Sequence, residues 1–168
     1  MAAATAAALA FTATPALAVN ATSNATARAR IVKPLQLTSS QNLDFGIIVL
    51  SGTGTWSATV QVDENGVRDC DGGSGNVTCS GTFQEAVYNV AGTQGQDVRV
   101  TVSSVTLSDG AATPNLLTLT PDYATKDLTL ANSGAPGNDF GVGGSITVDD
   151  STADGVYTGT LNVTADYL

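Results

Sequence analysis

The chain has 168 residues, 42% of them hydrophobic, which suffices for one domain with a buried core. Its formal net charge of −9 comes from 6 basic and 15 acidic residues, and a body so acidic argues against nucleic acid as a partner. Histidine is absent, which removes the commonest general base and the Ser-His-Asp and Cys-His triads; Lys33 and Lys126 lie in no nucleophile motif, so no catalytic residue is assigned and no enzyme is expected.

The opening stretch, MAAATAAALAFTATPALA, is apolar, small-residued and ends in Ala16-Leu17-Ala18. It reads as the h-region and cleavage site of a secretory signal peptide over 1–18, too short to span a membrane, although no Lys or Arg precedes it. Export is the expectation. In ATARARIVKPLQL, Ala25, Ala27, Ala29 and Ile31 then alternate with Thr26, Arg28, Arg30 and Val32, which predicts an extended segment with one apolar and one basic face. Arg28, Arg30 and Lys33 are half of the 6 basic residues, and every acid lies from Asp44 onward, so a basic extension over 19–33 precedes an acidic body over 34–168. Pro34 cannot donate to a ladder and marks an edge or break before a short strand at 35–37.

LDFGIIVL, at 43–50, is apolar without alternation and predicts a strand covered on both faces. WSATVQV sets Trp56, Ala58, Val60 and Val62 on one face, and DENG at 63–66 supplies turn chemistry. That phase makes Trp56 a core residue before a sugar-stacking platform. Cys70 and Cys79 enclose DGGSGNVT. Their spacing is not that of a CxxC knuckle and there is no histidine, so a metal is the poorer reading and a disulfide across a Gly-rich hairpin loop the better one.

A strand is predicted over 83–90, ended by AGTQGQ. In VRVTVSSVTL, Val98, Val100 and Val102 keep one phase while Val105 and Leu107 keep the other, which predicts a bulge or crossover at Ser103-Ser104. LLTLT and KDLTL read as short strands and ANSGAPGND as a loop. GVGG at 141–144 has the wrong glycine spacing for a dinucleotide loop and precedes a strand, so it reads as a bend. Asp149, Asp150 and Asp154 do not have calcium-loop spacing and read as solvated turn carboxylates. Eight to ten strands, with no helix and no repeat, predict an all-β antiparallel sandwich.

The last stretch, GVYTGTLNVTADYL, sets Tyr157, Leu161, Val163, Ala165 and Tyr167 on one face and Thr158, Thr160, Asn162, Thr164 and Asp166 on the other, the pattern of a half-buried strand. Gly155 stands fourteen residues from the end and Tyr167 is penultimate. This arrangement resembles the C-terminal signature of chaperone-usher pilus subunits. With LDFG at 43–46 behind an alternating N-terminal segment, the chain resembles a secreted bacterial family, domain of unknown function 4402, and is similar to the spore coat protein U-type subunits of archaic chaperone-usher pili. The resemblance implies an immunoglobulin-like sandwich lacking one strand, its groove filled first by a periplasmic chaperone and then, at the outer-membrane usher, by the extension of another copy. It implies a cell-surface filament without cofactor, with Ala25, Ala27, Ala29 and Ile31 as the donor strand and Gly155, Tyr157, Leu161, Val163 and Tyr167 as acceptor-groove or chaperone-contact positions. Two other readings stay open. One is a self-contained secreted sandwich completed by its own N-terminal strand, and the other is a carbohydrate-binding module using Trp56 and the loop acids.

Overall fold

The computed structural model describes residues 20–71 and 73–168, and the expected signal peptide lies outside the described residues. The chain divides after Arg30 into two units. In the first, the described residues 20–30 carry no strand and are exposed. The second, Ile31–Leu168, contains thirteen strands and, among the described residues, no helix.

The strands are β1 (Gln36–Gln41), β2 (Ile47–Leu50), β3 (Ser57–Val62), β4 (Arg68–Asp69), β5 (Val77–Ser80), β6 (Ala86–Ala91) and β7 (Asp97–Val102), then β8 (Val105–Ser108), β9 (Leu116–Pro121), β10 (Thr125–Thr129), β11 (Asn138–Val142), β12 (Gly144–Asp149) and β13 (Val163–Tyr167). Every ladder is antiparallel. The sheet orders are β1-β6-β11, β10-β7-β13, β4-β3-β12-β9-β8 and β2-β5. They form an antiparallel β-sandwich with two core clusters. In the lower cluster, Val90 of β6 and Phe140 and Val142 of β11 meet Val98, Val100 and Val102 of β7. In the upper cluster, Val60 of β3, Leu119 of β9 and Ile146 and Val148 of β12 meet Val77 of β5.

The count exceeds the eight to ten expected because long strands break midway and change partners. Ser103-Ser104 is one such break, where the inward phase passes from Val98, Val100 and Val102 in the lower cluster to Val105 and Leu107 in the upper one, as the sequence predicts. Gly143 is another, between β11 and β12: a Cβ there would strike the Asp122 carboxylate and the Val62 carbonyl, so only glycine lets the chain pass. Each fully buried valine of β7 contributes roughly 1.5–3 kcal/mol relative to an exposed one.

Two expectations need correction. The apolar run at 43–50 is not covered on both faces, because β2 and its partner β5 lay only one face on the core and leave the other exposed. Ile48 turns to the core, whereas Ile47 stays 61% and Val49 48% exposed. The Cys70–Cys79 disulfide exists, with Cα atoms 5.8 Å apart, but spans no hairpin. Cys70 follows β4, which pairs with β3, whereas Cys79 lies in β5, which pairs with β2, so the bond staples two sheets. Trp56 is half-buried against the upper cluster, its ring under Gly52 and its Nε1 wholly covered, as its phase predicts.

Candidate functional site

Among the described residues β1 and β13 are both sheet edges: β1 pairs only with β6 and β13 only with β7. Their inward side chains, Leu35 and Leu37 on one side and Val163, Ala165 and Tyr167 on the other, pack on the same lower core. All five remain half-buried. Among the described residues no ladder joins the two edges, so an apolar seam runs between them.

The backbone along this seam can be oriented from the register. Leu168 donates to the Asp97 carbonyl and Ser103 to the Asn162 carbonyl, so the even-numbered residues of the terminal segment face β7. By alternation, the N–H and C=O groups of Val163, Ala165 and Tyr167 point away from β7, off the free edge. Among the described residues, these positions therefore offer backbone groups outside any ladder together with half-covered apolar side chains. That is the chemistry of a site able to accept one more strand.

The opposite side of the lower lobe is closed. Tyr123 donates a 2.6 Å hydrogen bond to the Gly141 carbonyl, and Asn138 accepts from the Ala131 N–H at 3.0 Å while donating to the Thr129 carbonyl. Lys126 pairs with Glu64 at 2.6 Å and lies over the Tyr123 ring. A recess of about 480 Å³ beside them includes Gln61 and Asp122. Burial pushes the Asp122 carboxyl upward against the hydrogen bond from Gln61. Among the described residues no group of three or more His, Cys, Asp or Glu side chains could hold a metal ion.

The seam continues upward. Leu43, Phe45 and Ile48 on one side and Tyr157 and Leu161 on the other are half-buried against the upper cluster. Tyr157 donates a 2.9 Å hydrogen bond to the Ala153 carbonyl, four residues back. This bond pins the phenol back on the preceding turn, at the point where the chain enters its final extended segment. Desolvation, followed by the Asp109 and Asp154 charges, raises the Tyr157 phenol above its ordinary value.

Of the sequence-derived positions, Leu161, Val163 and Tyr167 lie together along the lower seam and Tyr157 along the upper. Gly155 lies outside it, exposed, where a Cβ would come 3.2 Å from Asp109 Cβ. Ala25, Ala27 and Ala29 are exposed in the strandless first unit, and Ile31 is 91% exposed. Leu35, Leu37 and Leu43, none of them among the acceptor positions that the resemblance implies although Leu43 opens its LDFG motif, form the facing edge. Their common phase is visible in the sequence, but the edge they face is not.

Tyr167 also closes the lower end of the seam. Its hydroxyl donates to the Lys33 carbonyl at 2.7 Å and accepts from the Thr93 N–H at 2.8 Å, while Lys33 N–H donates to Thr93 Oγ1 at 2.6 Å.

Neither curated proteins nor solved structures provide a match to this chain. A family model described as domain of unknown function (DUF4402) matches residues 35–167, a span that includes both edges of the seam. The chain belongs to the DUF4402 family.

Proposed function

We propose that this protein is the structural subunit of an exported bacterial surface filament, polymerising by insertion of one copy's N-terminal extension into the seam of another. The observation that carries this reading is the pair β1 and β13: two free edges over one core, with outward backbone groups and half-covered apolar side chains, on a lobe whose other side is closed. A strand laid between them would satisfy those backbone groups and complete the cover of Leu35, Leu37, Val163, Ala165 and Tyr167. The plainest support from energetics is the ladder itself: about half a dozen main-chain hydrogen bonds at about 1 kcal/mol net each.

The extension has the reach and charge for this. Residues 25–31 extended span roughly 20 Å. Ala25, Ala27, Ala29 and Ile31 would face the core, and Arg28 and Arg30 would face outward on an acidic acceptor, which favours open-ended head-to-tail assembly. The alanines are small, so the affinity would rest more on the ladder than on side-chain burial. A disulfide-stapled body suits an oxidising compartment such as the periplasm, where a chaperone would hold the seam before the usher.

The test removes residues 20–33 from the exported form. The truncated body should fold, remain monomeric at all concentrations, and gain thermal stability on adding a peptide of the 20–33 sequence at one-to-one stoichiometry. The untruncated chain should form polymers that dissociate only on unfolding. A truncated body that unfolds, with an untruncated chain that stays monomeric, would instead mean that the extension completes its own sheet.

A further inference from the structure

We infer that Tyr167 is a latch that keeps the extension out of its own seam, leaving that seam free for a second copy; this rests on the strand-insertion reading above. The node at the seam's lower end engages both backbone polar groups of Lys33: its C=O accepts from Tyr167 and its N–H donates to Thr93. The Tyr167 hydroxyl spends its remaining capacity on the Thr93 N–H. Gly92 leaves the room for this, since a Cβ there would strike the Tyr167 hydroxyl and crowd Leu35.

The chain direction gives the node its consequence. β1 begins beside the node and β13 ends at it, while Leu43 and Leu161, at the far ends, both reach the upper cluster, so the two edges run in opposite directions. To fill its own seam the extension would have to double back at Lys33 and Pro34 and descend between the edges. Both Lys33 groups would then leave the node to serve the hairpin. Pro34 would contribute no N–H to that hairpin, and its ring restricts the conformations open to Lys33. Ile31, two residues before the node, is 91% exposed.

The test compares the exported full chain with Tyr167→Phe, which keeps the ring and removes only the hydroxyl, and with Thr93→Val, which removes the acceptor for Lys33 N–H. Dilute monomers are refolded, then probed by capture of a labelled 20–33 peptide and by amide exchange across residues 25–31. The wild type should capture the peptide and leave 25–31 unprotected. In either variant, capture should fall roughly fivefold, the size of one ordinary hydrogen bond, and 25–31 should become protected independently of concentration. Wild-type capture with both variants matching it in capture and exchange would overturn the latch alone. A wild type that captures no peptide and leaves 25–31 unprotected would overturn the insertion reading and the latch with it. A wild type that already protects 25–31 in the dilute monomer would overturn the latch directly.

Discussion

Leu43 and Leu161 lie on facing edges of the seam and are, among the described residues, the two half-buried side chains that pack on both core clusters. They join the upper and lower lobes at the point where β1 has ended and β13 has not begun. Truncating either to alanine should therefore loosen both lobes. Because each is already half-exposed, the expected cost is near the lower end of the range for core leucines, about 2 kcal/mol. The double variant should depart from additivity by about 0.5 kcal/mol or more, because both side chains pack on the same two clusters. Denaturant unfolding of the four proteins measures this, and strict additivity would mean that the lobes are held together elsewhere.

The Cys70–Cys79 disulfide joins β5 to the sheet that contains β4. Replacing both cysteines by alanine should cost roughly 2–3 kcal/mol on the chain-entropy view of so short a loop. Since Cys70 and Cys79 pack on the upper cluster, binding of the 20–33 peptide to the lower seam should persist. Thermal melts with and without peptide check both parts; loss of peptide binding together with stability would show the upper lobe governing the seam.

Gly143 lies where β11 becomes β12, with the Val62 carbonyl and the Asp122 carboxylate in the space a methyl would need. Gly143→Ala should destabilise by about 1–3 kcal/mol, the scale of overpacking against fixed backbone. Gly54→Ala is the control, because nothing lies near a Cβ there, although its φ of +75° leaves a smaller backbone cost. Equal losses in the two would mean that the chain gives way around Gly143 and that the close approach does not exclude a side chain there.

Phase is the most legible signal in the sequence. The alternations at Val98–Val102, at Ala58–Val62 and along Tyr157–Tyr167 all recur as inward faces, and the switch at Ser103-Ser104 is written in the residues themselves as a change of parity. What local pattern cannot carry is which edge faces which. LDFGIIVL reads as doubly covered because apolar side chains are compatible with either face, whereas in the fold one face of β2 meets the core through Ile48 and the other leaves Ile47 and Val49 exposed. The cysteine pair reads as a hairpin clasp because the sequence distance is short, yet its partners lie in different sheets. Tyr167 stands out in the sequence by position, but its bonds to Lys33 and Thr93 depend on contacts spanning 134 and 74 residues.

Alkaline pH should weaken this fold, and Tyr123 gives a reason that can be isolated. Desolvation, then the Glu64 and Asp122 charges, raises the Tyr123 phenol above its ordinary value, and burial raises Tyr88 in the same direction. In the unfolded chain these phenols ionise near pH 10. Above that pH the unfolded state binds fewer protons than the folded one, so stability falls with rising pH until the folded phenols ionise too; below it the contribution is fully present. Tyr123→Phe removes one such phenol and also the hydrogen bond to the Gly141 carbonyl. The variant should be less stable at neutral pH by about 1–2 kcal/mol, yet lose less on going from about pH 8 to about pH 11. Urea midpoints across that interval decide it: parallel declines for wild type and variant would remove Tyr123 as a source of the alkaline loss, and a variant as stable as wild type at neutral pH would mean that the closed side of the sandwich does not depend on its hydroxyl.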